Sequence, residues 1–397
     1  MNYRTIPTTG DKVSALGYGC MRFPRKGTGI DEERAKRQIL MAVEQGVNYF
    51  DTAYIYPGSE KVLGKALLGG VREKVKIADK MPHMLVKTRR DMDSIFTKQL
   101  ERLATDYIDY YLVHNIGSWA DWQRILELGL LEFIGELRKQ GKIRYFGFSF
   151  HGNSQTFCKL IDAHPWDFCQ IQYNYLDENF QAGRQGLEYA ARAGVGIIAM
   201  EPLRGGILGE KIPPKAEKIL REKNQDRTPA EWALRWLLSH PQIAVVLSGM
   251  GREEHIEENI RIAKADDSFE LSPDETLAIA GVKEFFSEKI KVGCTGCAYC
   301  LPCPYKVDIP SCFAAYDDYA VHGGLSPLFH YLMSTGGIAN GSPTQASRCK
   351  NCGICLKRCP QQIPIPEKLR ETAKAMEKAY LRIPAKLAFK LMRLGRR

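Results

Sequence analysis

The 397-residue sequence has no long apolar run and few cysteines over its first three quarters. No stretch approaches the ~18 consecutive apolar residues of a membrane span, and the opening residues, MNYRTIPTTGDK, lack the apolar core of a secretory signal. We therefore expect a cytoplasmic protein with no transmembrane segment. Low-complexity segments are missing too, and a composition of 44% hydrophobic and 26% charged residues excludes a disordered, collagen-like or disulfide-knotted chain.

The cysteines are concentrated near one end of the chain. Only three precede residue 293, whereas nine lie between Cys294 and Cys359. Cytosolic thiols are kept reduced, so these cysteines indicate metal or redox chemistry rather than disulfides. The abrupt change also marks a domain boundary, because one hydrophobic core rarely serves more than ~250 to 300 residues. The predicted domains are residues 1–288, 289–370 and 371–397.

Before residue 288, short β-branched or aromatic runs alternate with amphipathic segments. The eight runs are VSALGYGCM, VNYFDTA, VKIADKM, IDYYLVHN, IRYFGFS, FCQIQYNY, VGIIAMEP and IAVVLSGM. The helical segments carry end signals: Asp31 precedes one that Gly46 closes, and Thr228 with Pro229 opens another. Strand then helix, repeated eight times, predicts an α/β fold of the TIM (β/α)8 barrel type.

Polar side chains stand at the ends of three successive runs. Asp51 ends the second, Lys80 the third and His114 the fourth, and Tyr56 follows Asp51 in the next loop. Each alone is more often a helix cap, a surface charge or a satisfied core group. In a TIM barrel, however, the carboxyl ends of the strands form one mouth that carries function. We therefore expect these four side chains to form one site.

Several of these segments resemble the aldo-keto reductase family. The similarity lies in FDTAYIYPGSEKVLGKAL (residues 50–67), the lysine of IADK, the histidine of LVHN and the late segment SGMGREEHIEEN, and it covers residues 1 to about 285. The resemblance implies a catalytic tetrad of Asp51, Tyr56, Lys80 and His114.

The chemistry of this tetrad is consistent without the family name. Reduction of a carbonyl requires a proton, and a tyrosine, whose pKa is ordinarily ~10, supplies one readily only beside a cation. Lys80 would be that cation for Tyr56, Asp51 would balance the buried lysine, and His114 would orient the substrate oxygen. The alternative is an inert ion pair in a barrel that has become a regulatory subunit.

The resemblance also implies a nicotinamide dinucleotide bound without a GxGxxG motif, and none follows the first run. Ser149 and Gln170 match the positions that hold the nicotinamide carboxamide, although Phe150 replaces the usual asparagine. Met200 stands where an aromatic ring often stacks on the nicotinamide, so the contact there would come from a thioether.

At the adenosine end, Glu258 and Asn259 match the adenine contacts of the family. The loop from Gly249 to Arg252 leads into a predicted helix, whose N-terminus favours a phosphate. In the family, a lysine and an arginine commonly bind the 2'-phosphate of NADPH. At the two matching positions this sequence has Gly249 and His255, and the nearby Arg252 would substitute as the basic residue. The sequence therefore leaves both NADH and NADPH as possible cofactors. The charges of the late segment are also typical of a solvent-exposed helix without a binding role.

Two cysteine tracts follow the barrel. They are CTGCAYCLPCP, with Cys294, Cys297, Cys300 and Cys303, and CKNCGICLKRCP, with Cys349, Cys352, Cys355 and Cys359. The second tract fits the bacterial ferredoxin pattern CxxCxxCxxxCP, in which the last cysteine ligates the other cluster. That pattern predicts two [4Fe-4S] clusters in a small, mainly helical ferredoxin-like domain.

The ferredoxin pattern assigns one cluster to Cys294, Cys297, Cys300 and Cys359 and the other to Cys303, Cys349, Cys352 and Cys355. The shorter final spacing of the first tract leaves open which cysteine crosses, and structural zinc is the competing metal. A reductase barrel with such a tail is similar to a ferredoxin-bearing branch of the aldo-keto reductases.

The net charge of +10 is concentrated at the end of the chain. Residues 371–397 contain eight Lys or Arg and two Glu, with Leu387, Leu391 and Leu394 on one helical face. Such a helix suits an acidic electron carrier or peripheral contact with a membrane, but a solvated basic helix packed on the barrel explains it as well. No nucleic-acid recognition motif accompanies it.

Two functions follow from these patterns. The first is an NAD(P)(H)-linked oxidoreductase of a carbonyl or alcohol substrate, with 4Fe-4S clusters for electron transfer. The alternative is an electron-transfer or redox-sensing protein whose barrel binds dinucleotide without carbonyl turnover.

Overall fold

The structure is a computed structural model that describes residues 1–27, 29–265, 269–336 and 342–377. The chain forms two compact units. One consists of residues 1–210 and 224–276, and the other of residues 211–223 and the described residues from 277 onward. The basic segment from residue 378 to residue 397 lies outside the described residues.

The strands form two short antiparallel hairpins and one closed barrel. In chain order they are β1 (Tyr3–Thr5), β2 (Lys12–Ser14), β3 (Leu16–Gly19), β4 (Arg25–Lys26), β5 (Gly29–Ile30), β6 (Tyr49–Asp51), β7 (Lys76–Pro82), β8 (Ile108–Ile116), β9 (Ile143–Phe150), β10 (Phe168–Gln172), β11 (Gly196–Met200) and β12 (Ile243–Ser248). β3 and β6 to β12 pair in parallel in sequence order, and β12 closes onto β3. Each of the eight runs in the sequence overlaps one barrel strand, so the TIM-barrel prediction is confirmed.

The helices lie between the barrel strands and after the last one. They are α1 (Glu32–Glu44), α2 (Ser59–Ala66), α3 (Arg89–Leu103), α4 (Trp119–Glu127), α5 (Leu130–Lys139), α6 (Ser154–Asp162), α7 (Gly183–Arg192), α8 (Pro214–Arg221), α9 (Pro229–Leu238), α10 (Glu253–Ala263), α11 (Pro273–Lys289), α12 (Ile309–His322), α13 (Ser326–Thr335) and α14 (Ile365–Met376). The predicted domain limits at residues 288 and 370 fall inside α11 and α14, and they stay predictions.

The predicted helix ends are confirmed. The Asp31 carboxylate accepts the Arg34 N–H at 3.2 Å at the start of α1, and Gly46 follows that helix with a φ of 97°. The Thr228 hydroxyl accepts the Glu231 N–H at 3.1 Å at the start of α9. These caps satisfy backbone N–H groups that have no partner within the helix.

The barrel interior is filled with side chains. Tyr49 of β6 lies 5.2 Å from Tyr110 of β8 between ring centroids, and Tyr110 lies 5.1 Å from Phe168 of β10. Ile6, in the loop between β1 and β2, belongs to the same buried cluster and lies against Gly196, the first residue of β11. The amino-terminal end of the barrel is thus packed with apolar groups, which leaves polar side chains to the carboxyl end.

The two cysteine tracts repeat one local backbone conformation. The third residue of each tract, Gly296 in the first and Asn351 in the second, has a positive φ of 72° or 57°. Six residues after the last cysteine of each tract a helix begins, α12 after the first and α14 after the second, with a proline in its first turn. α12 and α13 lie between the two tracts and agree with the prediction of a mainly helical domain.

Candidate functional site

Strand alternation brings the predicted polar residues to one mouth. Tyr49, Ala78 and Leu112 belong to the interior core of the barrel, and Asp51, Lys80 and His114 follow them by two residues. Because the side chains of a strand repeat every second residue, all three polar groups face inward at the carboxyl end.

Lys80 and Asp51 form a buried ion pair. The Lys80 ammonium donates to both carboxylate oxygens of Asp51 at 2.6 Å and to the Thr52 carbonyl at 2.7 Å. The Lys80 side chain is 1% exposed, so the carboxylate and the carbonyl must replace the water that a charged amine otherwise requires. Burial raises the pKa of Asp51, and the neighbouring Lys80 cation opposes that shift.

Tyr56 and His114 complete the cluster. The Lys80 ammonium lies 5.4 Å from the centroid of the Tyr56 ring, and the Tyr56 and His114 rings meet edge to face with centroids 5.9 Å apart. Burial, reinforced by the Lys80 cation, lowers the pKa of His114 well below its usual range. The structure therefore brings all four predicted tetrad residues together and keeps His114 neutral near pH 7.

Polar groups behind β7 hold the Lys80 backbone. The Lys80 N–H donates to Asp79 Oδ1 at 2.7 Å, and Gln99 Nε2 donates to the Lys80 carbonyl at 3.2 Å. The Tyr111 hydroxyl in turn donates to Gln99 Oε1 at 3.0 Å. Sequence reasoning missed Asp79 and Gln99. Asp79 could have been found from the sequence, because strand alternation places it on the outer side of β7. Gln99 could not, because only the fold shows that α3 brings it to Lys80.

The three residues expected at the nicotinamide are neighbours in the barrel wall. Ser149 and Gln170 are register partners on β9 and β10, and Gln170 Nε2 lies 3.4 Å from Met200 Sδ on β11. The Ser149 hydroxyl accepts the Asn115 N–H at 2.8 Å. Gln170 Oε1 is buried without a hydrogen-bond donor among the described residues. The carboxamide N–H of a nicotinamide is a suitable hydrogen-bond donor to this oxygen.

At the adenosine end, the predicted residues already have protein partners. Asn259 Nδ2 donates to the Ser248 hydroxyl at 2.9 Å, and the Thr228 hydroxyl donates to Glu258. Arg252 pairs with Glu210, which balances the positive charge expected for a 2'-phosphate.

Sequence reasoning missed Arg22 at this end. A Cβ atom on Gly249 would lie 3.2 Å from Arg22 Cδ, so the arginine stem packs directly on the glycine backbone. The Arg22 side chain is exposed. Its only signal in the sequence was its place just after β3, at the functional end of the barrel.

The cysteines of the two tracts line two cavities. The first cavity, of about 300 Å³, and the second, of about 340 Å³, have different cysteines in their walls. The first is lined by Cys294, Cys297, Cys300 and Cys359, and the second by Cys303, Cys349, Cys352 and Cys355, with Cys300 between the two. The last cysteine of each tract thus lies with the first three of the other.

The cysteine thiols at these cavities must lose their protons when they bind a metal. Burial raises the pKa of Cys294 to about 12 and that of Cys355 to about 11, and a metal ligand must be the thiolate. A backbone N–H donates to one sulfur of each tract at 3.4 Å, from Gly296 to Cys294 and from Asn351 to Cys349. Among the described residues, no three His, Cys, Asp or Glu side chains are arranged to hold a single metal ion.

Within the parts of the chain that the structure describes, no helix has both the length and the apolar character needed to span a membrane.

Comparison with known proteins agrees with both halves of this picture. Residues 15–283 match the aldo/keto reductase family, and residues 293–364 match a 4Fe-4S dicluster domain. A probable aldo-keto reductase 1 from Glycine max is 27% identical over 64% of this chain and 82% of its own length. L-galactose dehydrogenase from Arabidopsis thaliana is 26% identical over 71% of this chain and 94% of its own.

A solved structure shares the barrel. Aldo-keto reductase AKR11C1 from Bacillus halodurans, in its holo form, superposes with a TM-score of 0.60 at 27% identity, over 71% of this chain and 96% of that chain. The matched family segment covers more than half of the present sequence and contains Asp51, Tyr56, Lys80 and His114. This chain, an oxidoreductase with a 4Fe-4S dicluster domain after its barrel, belongs to the aldo/keto reductase family.

Proposed function

We propose that the protein is an NAD(P)(H)-linked oxidoreductase that interconverts a small carbonyl compound and its alcohol at the Tyr56 cluster. The observation that carries this proposal is the buried Lys80 ammonium, held at 2.6 Å by both Asp51 oxygens and 5.4 Å from the Tyr56 ring. Burying an ion pair costs desolvation free energy, and buried charged groups of this kind are concentrated at functional sites.

Tyr56 acts as the proton donor in carbonyl reduction and as the proton acceptor in alcohol oxidation. After proton donation, the Lys80 cation stabilises the tyrosinate, and Asp51 keeps that cation in place. The neutral His114 imidazole donates an N–H to the substrate oxygen and fixes its direction toward the Tyr56 hydroxyl.

Ser149, Gln170 and Met200 are the residues that would hold the nicotinamide end of the dinucleotide, and Gly249, Arg252, Glu258 and Asn259 those at its adenosine end. The buried acceptor on Gln170 supports the first set. When bound, the nicotinamide supplies or accepts the hydride. Both NADH and NADPH remain candidates, since Arg252 is balanced by Glu210 whereas Arg22 stands exposed beside Gly249.

We assign two [4Fe-4S] clusters to the cysteine cavities, with Cys359 crossing to the first tract and Cys303 to the second. The first cavity has four cysteines in its wall and the second has five, because Cys300 lines both. Both tracts hold a third and a fourth cysteine followed by proline, which a structural zinc site does not need. The clusters supply one-electron transfer, and an acidic electron carrier is the partner that we propose for them. A cytoplasmic location stays a prediction.

The test of the barrel chemistry is Tyr56→Phe. We expect this variant to lose aldehyde-dependent NAD(P)H oxidation by at least 100-fold while it still binds the nucleotide, because only the proton is removed. Tyr54→Phe is the matched control: Tyr54 lies two residues away against the Arg102 guanidinium, and its variant should keep activity. Unaltered turnover in Tyr56→Phe would refute the tetrad assignment and favour a barrel that binds dinucleotide for electron transfer or sensing.

A further inference from the structure

The loops around the second cysteine cavity are rich in positive charge. Residues 342–366 contain four basic side chains and no Asp or Glu, and Lys306 follows Cys303 in the facing loop. We define the second-cavity face by these five cations and three apolar side chains. Its members are Tyr305, Lys306, Arg348, Lys350, Ile354, Leu356, Lys357 and Arg358.

The five cations of the second-cavity face are exposed to solvent. Among the described residues, no carboxylate lies within ion-pair distance of any of them. Arg348 Nε donates to the Tyr305 carbonyl at 3.2 Å, which ties the loop after Cys303 to the start of the second tract. The positive charges therefore lie in the loops that supply the wall of the second cavity and are available to an outside partner.

The centre of this face is apolar. Tyr305 is 39% exposed, Ile354 42% and Leu356 46%, and the first two line the second cavity. Exposed apolar groups inside a polar, charged rim are the usual anatomy of a protein docking site. Cys352, a predicted cluster ligand, is also exposed here.

The wall of the first cavity has fewer charged neighbours, although Arg358 directly precedes Cys359 in it. Residues 293–303 contain no charged side chain, and the cysteines in the wall of the first cavity are buried or half-buried. The two cavities share Cys300 and Ile309 in their walls, so only a thin layer of side chains separates them. The second cavity is therefore the one whose wall offers an exposed cysteine, Cys352, to a partner.

We infer that the second-cavity face docks a small acidic electron-carrier protein. Opposite charge steers such a partner, and the apolar centre allows its redox group to approach Cys352 closely. In the exchange, one electron leaves the reduced carrier, which becomes oxidised, and enters the cluster held by the second cavity, which becomes reduced. No bond forms or breaks. This inference rests on the proposed clusters but not on the Tyr56 chemistry.

The test uses the full-length protein with its clusters and a purified acidic [2Fe-2S] ferredoxin as the probe. Calorimetric titration with oxidised ferredoxin measures binding, and stopped-flow mixing with reduced ferredoxin measures electron transfer, each over a range of salt concentrations. For the unaltered protein we expect saturable binding that weakens as salt rises, because exposed charges are screened within about 10 Å at 0.1 M salt.

The variant Lys350→Glu, Lys357→Glu, Arg358→Glu should bind ferredoxin about tenfold more weakly or worse at low salt and lose most of the salt dependence. The control variant, Lys36→Glu, Lys98→Glu, Lys139→Glu, changes the net charge equally at exposed sites on α1, α3 and α5 and should behave like the unaltered protein. A third variant replaces the same three cations of the face by Gln. It should bind ferredoxin less weakly than the Glu variant if the loss of affinity follows the charge of the face rather than loss of the cluster.

Four outcomes would overturn the inference. The first is equal binding and salt dependence in the face variant and the control, with iron and sulfide content unchanged. The second is no ferredoxin binding by a protein whose clusters are present and reduced by dithionite, which would leave the cluster assignment standing. The third is association with anionic phospholipid vesicles in place of ferredoxin. A protein that holds no iron and sulfide would refute the cluster assignment, and the inference with it.

Discussion

At the scale of residues, the charges at the proposed adenosine end bear on the choice between NADH and NADPH. Arg252 is the basic residue nearest the positions where the family places its 2'-phosphate contacts, but it is paired with Glu210 and within 2.8 Å of His255. A 2'-phosphate must therefore compete with the Glu210 carboxylate for this arginine. Selection between the two nucleotides depends on a pair that neither partner's local sequence reveals.

Glu210→Gln should improve NADPH binding by about two- to fivefold, the range expected for one exposed charge pair, and leave NADH binding unchanged. The variant frees Arg252 and removes a carboxylate that repels phosphate. Fluorescence titration with each nucleotide measures both dissociation constants. Glu257→Gln, an exposed position on α10, is the charge-matched control. Equal shifts for NADH and NADPH would argue against a role for Arg252 at the 2'-phosphate.

A second residue-scale effect concerns stability against acid. Burial lowers the pKa of His151 to about 4, although a hydrogen bond with Gln181 opposes the shift. Its folded pKa lies below the ordinary value of ~6.5, so between these limits the unfolded chain binds a proton that the folded chain does not. Stability is therefore lost as the pH falls through this window, by about 2 kcal/mol between pH 6.5 and pH 5.

In His151→Gln, this contribution to the pH dependence should vanish. All five tryptophans lie in the unit that contains the barrel, so urea unfolding followed by tryptophan fluorescence reports that unit. The difference between the free energies of unfolding at pH 6.5 and pH 5 should be smaller in the variant by about 2 kcal/mol. An unchanged difference would mean that His151 is not held neutral by burial.

At the scale of elements, one carboxylate fixes the loop that leads into the first cysteine tract. Asp317 of α12 accepts backbone N–H groups from Lys291, Val292 and Gly293 at 2.8 to 2.9 Å. Gly293 directly precedes Cys294, so this contact sets the direction in which the tract begins. Without it, three backbone donors would lose their acceptor.

Asp317→Ala should therefore loosen the first cluster more than the second. We expect the variant, after gel filtration in air, to lose the iron of one cluster while the other remains, which iron analysis and paramagnetic resonance of the reduced protein would distinguish. Asp317→Asn keeps one acceptor oxygen, so its loss of iron should lie between that of the unaltered protein and that of Asp317→Ala. Asp318→Ala, at an exposed neighbour on α12, serves as the control. Equal loss of both clusters would refute a local role for Asp317.

The elements were predictable where the signals are local. Alternating side chains, caps such as Asp31 and Thr228, and the spacing of the cysteines each depend on a few neighbouring residues, and they predicted the strands, the helix ends and the 4Fe-4S dicluster domain. The pairing of Arg252 with Glu210, the packing of Arg22 on Gly249 and the support of Lys80 by Gln99 join distant loops and helices. No local pattern encodes those contacts, and sequence reasoning missed them.

For the whole molecule, the open question is whether the nucleotide and the clusters exchange electrons. A hydride carries two electrons, whereas a [4Fe-4S] cluster normally accepts one, and the sequence shows no flavin motif that would split the pair. The dicluster domain at residues 293–364 and the barrel at residues 15–283 therefore need not serve one reaction.

We expect NADH or NADPH alone to leave the clusters oxidised in anaerobically purified protein, whereas dithionite reduces them. Paramagnetic resonance before and after each addition measures this directly, because a reduced [4Fe-4S] cluster has an unpaired electron. Tyr56→Phe is the internal control, since its clusters should respond to dithionite as in the unaltered protein. A reduced-cluster signal after nucleotide addition would contradict the expectation and show that barrel and cluster domain form one electron path, so a component that converts two-electron to one-electron transfer must then be sought.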